Sequence, residues 1–100
     1  MMIDFDYKGK KIELDYSEEI SDKIRFPFRV KGFCAGEIND YNEIEQRAIY
    51  RMIQDAAMKK AKCSIEKIVG IKQKASSVHF NGKAGIRLDL TGVVVYRKNS

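Results

Sequence analysis

The chain has 100 residues, of which 44% are hydrophobic and 33% are charged, and its formal net charge is +5. This length suits a single domain with one core, and no apolar run approaches the roughly 18–20 residues that cross a bilayer. The first sixteen residues mix charged and aromatic side chains and lack the apolar segment of a signal peptide. We therefore expect one domain over residues 1–100 in a cytoplasmic protein that is not embedded in a membrane.

Residues 1–16 predict a β-hairpin with a two-residue loop at Lys8-Gly9, where the glycine supplies a positive φ. This loop pairs Phe5 with Ile12 and places all the apolar side chains of the hairpin on one face. Those side chains are Ile3, Phe5, Tyr7, Ile12, Leu14 and Tyr16.

Residues 24–31 alternate apolar and polar or basic positions, which indicates a strand with one basic face. The basic residues are Arg25, Arg29 and Lys31. Pro27 cannot donate a backbone hydrogen bond, so we expect this strand at a sheet edge or beside a bulge. After Gly32 the apolar positions change to Phe33 and Ala35, and a bulge at Gly32 would explain that change.

A long amphipathic helix is predicted from about Tyr41 to Cys63. Asp40 and Glu43 have the D-x-x-E spacing of a capping box, with Asp40 as the N-cap. Apolar residues then recur at helical spacing, and this stripe is expected to face the sheet. The main stripe is Ile49, Met52, Ile53, Ala56 and Ala57.

Asn81-Gly82 predicts a type I′ turn between the last two strands. In this register Lys74 lies opposite Asp89, a favourable cross-strand pair. One face of the final strand is apolar and should pack against the helix. Near the turn the other face is polar, with Lys72, Lys74, Ser76, Arg87 and Asp89.

Farther from the turn, the second face of this hairpin becomes apolar. The same register places Ile68 opposite Val95 and Gly70 opposite Val93. Ile68, Val93 and Val95 would then form a cluster on the face that should contact water. A cluster of this kind indicates a contact surface, so we expect either the N-terminal hairpin or another subunit to cover it.

These elements together predict the α+β class. The expected architecture is an antiparallel sheet with a β-α-β-β core over residues 24–96, one long helix packed on it, and an added N-terminal β-hairpin.

Residues 30–96 resemble the YbjQ-like family, which is often labelled heavy-metal-binding. The matching positions are Gly32, Gly36, Glu37, Ala48, Met52, Ala57, Ala61, Val69-Gly70-Ile71, Asn81-Gly82 and Gly92-Val93-Val94-Val95. The resemblance implies a β-α-β-β unit similar in shape to dodecin subunits and assembly into rings such as pentamers. Residues 64–67 replace the family's Gly-Ala-Asn/Asp-Ala signature, so the resemblance transfers architecture better than chemistry.

The sequence offers two cysteines and one histidine as soft metal ligands. Cys34 and Cys63 lie on either side of the predicted helix, and no C-x-x-C or H-x-x-x-H spacing is present. A closed zinc site needs four ligands, so these thiols are only weak metal candidates and inert, buried cysteines are the expectation. His79 stands beside the predicted turn with no visible nucleophile-base arrangement, and we expect neither catalysis nor a cofactor.

Three hypotheses of function follow from these observations. The first is a non-enzymatic homo-oligomeric domain with subunit contacts at Ile68, Val93 and Val95. The second is a basic adaptor that binds nucleic acid or an acidic protein through Arg25, Arg29 and Lys31. Phe26, Phe28 and Phe33 interleave with these cations, as aromatic rings do in proteins that bind single strands. The alternation places Phe26 and Phe28 on the opposite face from the cations, so the rings are expected in the core, which weakens the second hypothesis. The third is metal binding through the two thiols.

Overall fold

The computed structural model describes residues 2–17 and 28–97. Its strands are β1 (Met2–Tyr7), β2 (Lys10–Asp15), β3 (Phe28–Glu37), β4 (Ile65–Phe80) and β5 (Lys83–Tyr96). A short 3₁₀ turn (Ile38–Asp40) leads from β3 into the helix α1 (Tyr41–Lys59). The α+β class is thus confirmed. Arg25, Phe26 and Pro27 lie outside the described residues.

The strands form one five-stranded sheet in the order β1-β2-β4-β5-β3. β2 lies parallel to β4, where Glu13 pairs with Lys67 and Leu14 with Ile68, while the other neighbouring pairs are antiparallel. The sheet is therefore mixed, and the expectation of an antiparallel sheet is wrong. The parallel contact lies on the side of β4 that β5 leaves unpaired, where the N-terminal hairpin joins the sheet.

The N-terminal hairpin turns at Lys8 and Gly9, both of which have positive φ (51° and 83°). Phe5 lies opposite Ile12 in its register. Ile12 is buried, and Phe5 packs against the same core. The apolar face of the hairpin thus continues the core under α1. Apolar and polar residues mostly alternate along β1 and β2, so the apolar side chains of both strands point to the same face of the sheet.

Helix α1 packs mainly on β3 and β5 and buries its apolar stripe there. The buried helical residues are Ile44, Ala48, Ile49, Met52, Ile53 and Ala56. At Gly32 the helix and strand backbones approach so closely that an added Cβ would lie 2.3 Å from the Met52 nitrogen and 2.4 Å from the Ala48 oxygen. Only glycine allows this approach at Gly32.

The helix begins at Tyr41, as the sequence predicts, but ends at Lys59 and not at Cys63. Asp40 precedes it without making a side-chain capping hydrogen bond. At the other end the Tyr96 hydroxyl donates to the Ala56 carbonyl at 2.5 Å. Ala56 lies in the last turn of the helix, so β5 supplies a contact to the helix end that the local sequence does not reveal.

Strand β3 pairs with β5 without interruption from Phe28 to Glu37, so the expected bulge at Gly32 is wrong. Val30, Gly32 and Cys34 are buried toward α1, whereas Phe33 is exposed on the other face. The apolar pattern misled the prediction because glycine fills an inward position where the helix leaves no room for a side chain.

The bulge lies instead in β4, between Val69 and Lys72, where Gly70 has a φ of 60°. Beyond it the register differs by one residue from the predicted one, so Ile68 lies opposite Val94. Two β4 residues oppose one residue of β5 at such a bulge, and the inward and outward positions change. Ile68 therefore faces α1 and is fully buried in the core.

Among the described residues, no helix is both long enough and apolar enough to cross a bilayer.

Candidate functional site

The candidate site lies on the face of the sheet that points away from α1, called here the distal face. Strand pairing brings Lys31, Thr91 and Lys72 into one row across β3, β5 and β4. Phe33, Asp89 and Lys74 form the next row. The cations of this region, called the basic surface, are Arg29, Lys31, Lys72, Lys74 and Arg87.

A cleft of about 430 Å³ opens at one end of the basic surface. Arg29, Lys31, Lys59 and Lys72 contribute its charged side chains, together with apolar and small residues of all three strands. No acidic side chain is among the described residues that line it. Its polar chemistry therefore suits an anionic ligand.

The acidic residue within these rows is Asp89, and Arg87 binds both of its carboxylate oxygens. The Arg87 Nε lies 3.4 and 3.2 Å from the two oxygens, and a terminal nitrogen lies 3.2 Å from one of them. Lys74 has the predicted register position opposite Asp89, yet the described part of the chain contains no ion pair between them. Asp89 thus forms its ion pair with Arg87, which leaves the Lys74 ammonium group available to other anions.

Phe33 lies among these cations with 48% of its surface exposed. The Arg87 guanidinium carbon is 4.3 Å from the centroid of the Phe33 ring, and that of Arg51 is 6.0 Å away. At the shorter distance the guanidinium can interact with the ring face as a cation–π pair. The site therefore combines an accessible aromatic ring with a fixed positive charge.

Polar side chains of α1 hold the backbone of β3 along the edge that faces away from β5. Lys59 donates to the Arg29 carbonyl, Asp55 accepts from the Lys31 amide at 3.0 Å, and Arg51 donates to the Phe33 carbonyl at 2.8 Å. Unpaired edge groups readily add further strands. These three contacts, called the edge clamp, occupy part of the edge and hold the backbone at Arg29, Lys31 and Phe33, whose side chains lie on the distal face.

The predicted contact surface at Ile68, Val93 and Val95 does not form as a group. Ile68 lies in the core under α1. Val93 is opposite Val69 on the distal face, but only 2% of its surface is exposed within one copy of the chain. Val95 is half-buried opposite Lys67. The bulge at Gly70 removes the exposed cluster on which the expectation of subunit contacts depended.

The two thiols lie in different parts of the fold. Cys34 is buried between β3 and α1, near the N-terminal half of the helix, while Cys63 is half-buried in the loop after it. Cys34 lies between Gly32 and Gly36, which approach Ala48 and Ile44, whereas Cys63 follows the helix end at Lys59. Ala48 and Lys59 are about 16 Å apart along the helix axis, so one ion cannot bind both cysteines. Among the described residues, no three metal-ligating side chains come together.

The sequence indicates the separate parts of the basic surface but not that they lie side by side. The sequence pattern predicts Arg29 and Lys31 on one strand, and it predicts Lys72, Lys74 and Arg87 on the polar face of another hairpin. Their adjacency depends on β3 pairing with β5, which no local pattern indicates. The sequence interpretation assigns the Phe33 ring to the core, whereas the structure exposes it. Its position two residues after Lys31 is the signal that indicates the basic face.

Comparisons with family models, curated proteins and solved structures found no significant match to this chain. The resemblance to the YbjQ-like family stays a prediction.

Proposed function

We propose that this protein is a non-enzymatic basic adaptor that binds nucleic acid through the basic surface. The observation that carries the proposal is the convergence of cations from three adjacent strands on one sheet face, where Arg87 already binds the acidic group of the central rows. Phosphate groups supply most of the affinity in such complexes, and each cation that contacts one releases a counterion.

The spacing of the cations favours a repeating anion. Arg29 and Lys31 are two positions apart on one strand, which corresponds to about 7 Å. Lys31 and Lys72 lie in one row with β5 between them, so their strands are about 10 Å apart. Charges distributed in two directions at these intervals suit a chain of phosphates better than a single small anion.

This proposal differs from the first expectation, a homo-oligomeric domain, because the structure supplies no exposed apolar cluster at the predicted contact residues. Homo-oligomerisation and thiol-based metal binding stay predictions. A native mass measurement addresses the former, and zinc or copper uptake by a Cys34→Ser/Cys63→Ser variant addresses the latter.

The proposal is tested by fluorescence anisotropy of a labelled single-stranded oligonucleotide, titrated with protein at several salt concentrations. Each phosphate contact contributes about 0.7 to the slope of log Kobs against log salt concentration for a single strand. The Lys31→Gln/Lys72→Gln variant should therefore bind more weakly and lower the magnitude of this slope by about 1.4.

The matched control is Lys10→Gln/Lys11→Gln, which removes the same charge from exposed positions on β2. It should retain most of the affinity and the slope. The proposal fails if the unmodified protein binds no oligonucleotide at low salt, or if both double variants lose affinity equally. Equal losses would show that net charge matters and that the basic surface does not.

A further inference from the structure

Phe33 is a large apolar residue exposed at the centre of a charged surface. Its neighbours on the distal face are Lys31, two residues earlier on β3, and Asp89, directly opposite on β5. The ring contributes nothing to the core under α1, because β3 directs Val30, Gly32 and Cys34 to that side. Its position therefore has no explanation in the packing of the described core.

The surroundings of Phe33 restrict its motion. Arg51 donates a hydrogen bond to its carbonyl oxygen, and Arg87 lies over its ring while being bound to Asp89. A ring held in this way loses little conformational entropy when a ligand binds. Nearly half of the surface of Phe33 nevertheless stays accessible, so a second flat group can contact the residue.

Cations surround the ring at distances that suit a nucleotide. Lys31 is about 7 Å away along β3, and Lys74 is in the same cross-strand row about 10 Å away. A base on Phe33 would thus have its own and neighbouring phosphates within reach of long, flexible lysine side chains. Aromatic rings combined with cationic grooves are the general means by which proteins bind single strands without sequence preference.

We infer that Phe33 is the stacking platform for an unpaired base, so that the ligand class is single-stranded nucleic acid; this rests on the proposed function. In a duplex the bases are stacked on each other, and the basic surface then contacts only phosphates. The ring accordingly sets the preference for single strands over duplexes, while the cations supply affinity for both.

The first experiment compares binding of a single-stranded oligonucleotide and a duplex of equal length to Phe33 variants. Stacking on an aromatic side chain contributes about 1–3 kcal/mol per base, which corresponds to a factor of about 5 to 140. Phe33→Ala should weaken single-strand binding by such a factor and leave duplex binding unchanged. Phe33→Tyr keeps the ring and should keep the preference.

Phe80→Ala is the matched control, because Phe80 is also exposed but lies at the turn end of β4, away from the basic surface. It should alter neither binding constant. Circular dichroism of each variant verifies the fold, and truncation of the exposed Phe33 ring leaves the buried core intact.

The second experiment uses Phe33→Trp, since the chain contains no tryptophan. Its emission reports on the distal face alone. A single strand should quench this emission through base stacking, whereas inorganic polyphosphate, which carries charge without bases, should leave it nearly unchanged.

The outcomes separate this inference from the proposed function. Oligonucleotide binding without quenching, or equal losses for single strand and duplex in Phe33→Ala, would overturn the role of Phe33 and leave the basic surface as a general phosphate-binding site. Failure of the unmodified protein to bind any nucleic acid would overturn the proposed function, and the role of Phe33 with it.

Discussion

Gly32 is the position where a single methyl group should test the packing that places β3 under α1. In Gly32→Ala the new Cβ would meet the Met52 nitrogen at 2.3 Å and the Ala48 oxygen at 2.4 Å, and both are backbone atoms of the helix. Neither can move away by a rotamer change, so the helix and strand backbones must separate. Overpacking usually costs about 1–3 kcal/mol, and we expect at least the upper value here.

Gly36→Ala is the matched control because it lies on the same strand and the same face. Its added Cβ would contact only the Ile44 side chain, at 3.1 and 3.2 Å, which can adjust its rotamer. We expect a loss below about 1 kcal/mol, partly offset because alanine reduces the entropy of the unfolded chain.

Urea denaturation followed by circular dichroism measures both variants, and thermal unfolding provides a second readout. A loss of about 3 kcal/mol corresponds to a decrease in Tm of about 12–24 °C for a domain of this size. If Gly32→Ala is as stable as Gly36→Ala, the close approach of α1 to β3 is wrong.

Two further predictions concern the edge clamp and the helix end. Asp55→Ala removes the acceptor of the Lys31 amide, which should lower the stability by about 0.5–1.5 kcal/mol and accelerate hydrogen exchange of that amide. Asp55→Asn keeps an acceptor oxygen and should retain most of the protection. Equal exchange of the Lys31 amide in both variants and the unmodified protein would contradict the edge clamp. Burial raises the pKa of the Tyr96 phenol above its ordinary value of 10.0, so the stability that its neutral form contributes is present below about pH 10 and is lost as the pH rises through the folded-state pKa. Tyr96→Phe should thus be less stable than the unmodified protein at neutral pH by about 0.5–1.5 kcal/mol, because the hydrogen bond to Ala56 is lost. This difference in stability should narrow in alkali. Denaturation curves that show a constant difference from neutral to alkaline pH would refute the role of the phenol.

The edge clamp also reduces the number of free backbone groups that β3 offers as an edge strand. Three helical side chains spaced four residues apart bind alternate backbone groups of the strand. Residues at this spacing lie on one side of a helix, and alternate residues of a strand direct their backbone groups to one edge. The four-residue spacing on the helix matches the two-residue spacing on the strand only if the helix runs along the strand. The close contact at Gly32 permits this arrangement.

Glycine limited how far the sheet could be predicted. The predicted register of the last hairpin holds between Asn81-Gly82 and Lys72, because a type I′ turn fixes the pairing of its neighbours. Gly70 then takes a positive φ and inserts a bulge, whereas Gly32 keeps regular pairing. The sequence pattern is similar at Gly32 and Gly70. Packing against α1 and the neighbouring strands decides that a bulge forms at Gly70 and not at Gly32.

The sequence by itself determined those features that depend on neighbours along the chain: the two-residue turns at Lys8-Gly9 and Asn81-Gly82, the start of α1 and its buried stripe, and the polar character of β4 and β5 near their turn. Only the tertiary structure decided the parallel contact of β2 with β4, the pairing of β3 with β5 that unites the basic surface, and the exposure of Phe33. Periodicity shows which side chains share a face of one element, but it carries no information about which elements become neighbours. That choice is made by the burial of whole faces in one core.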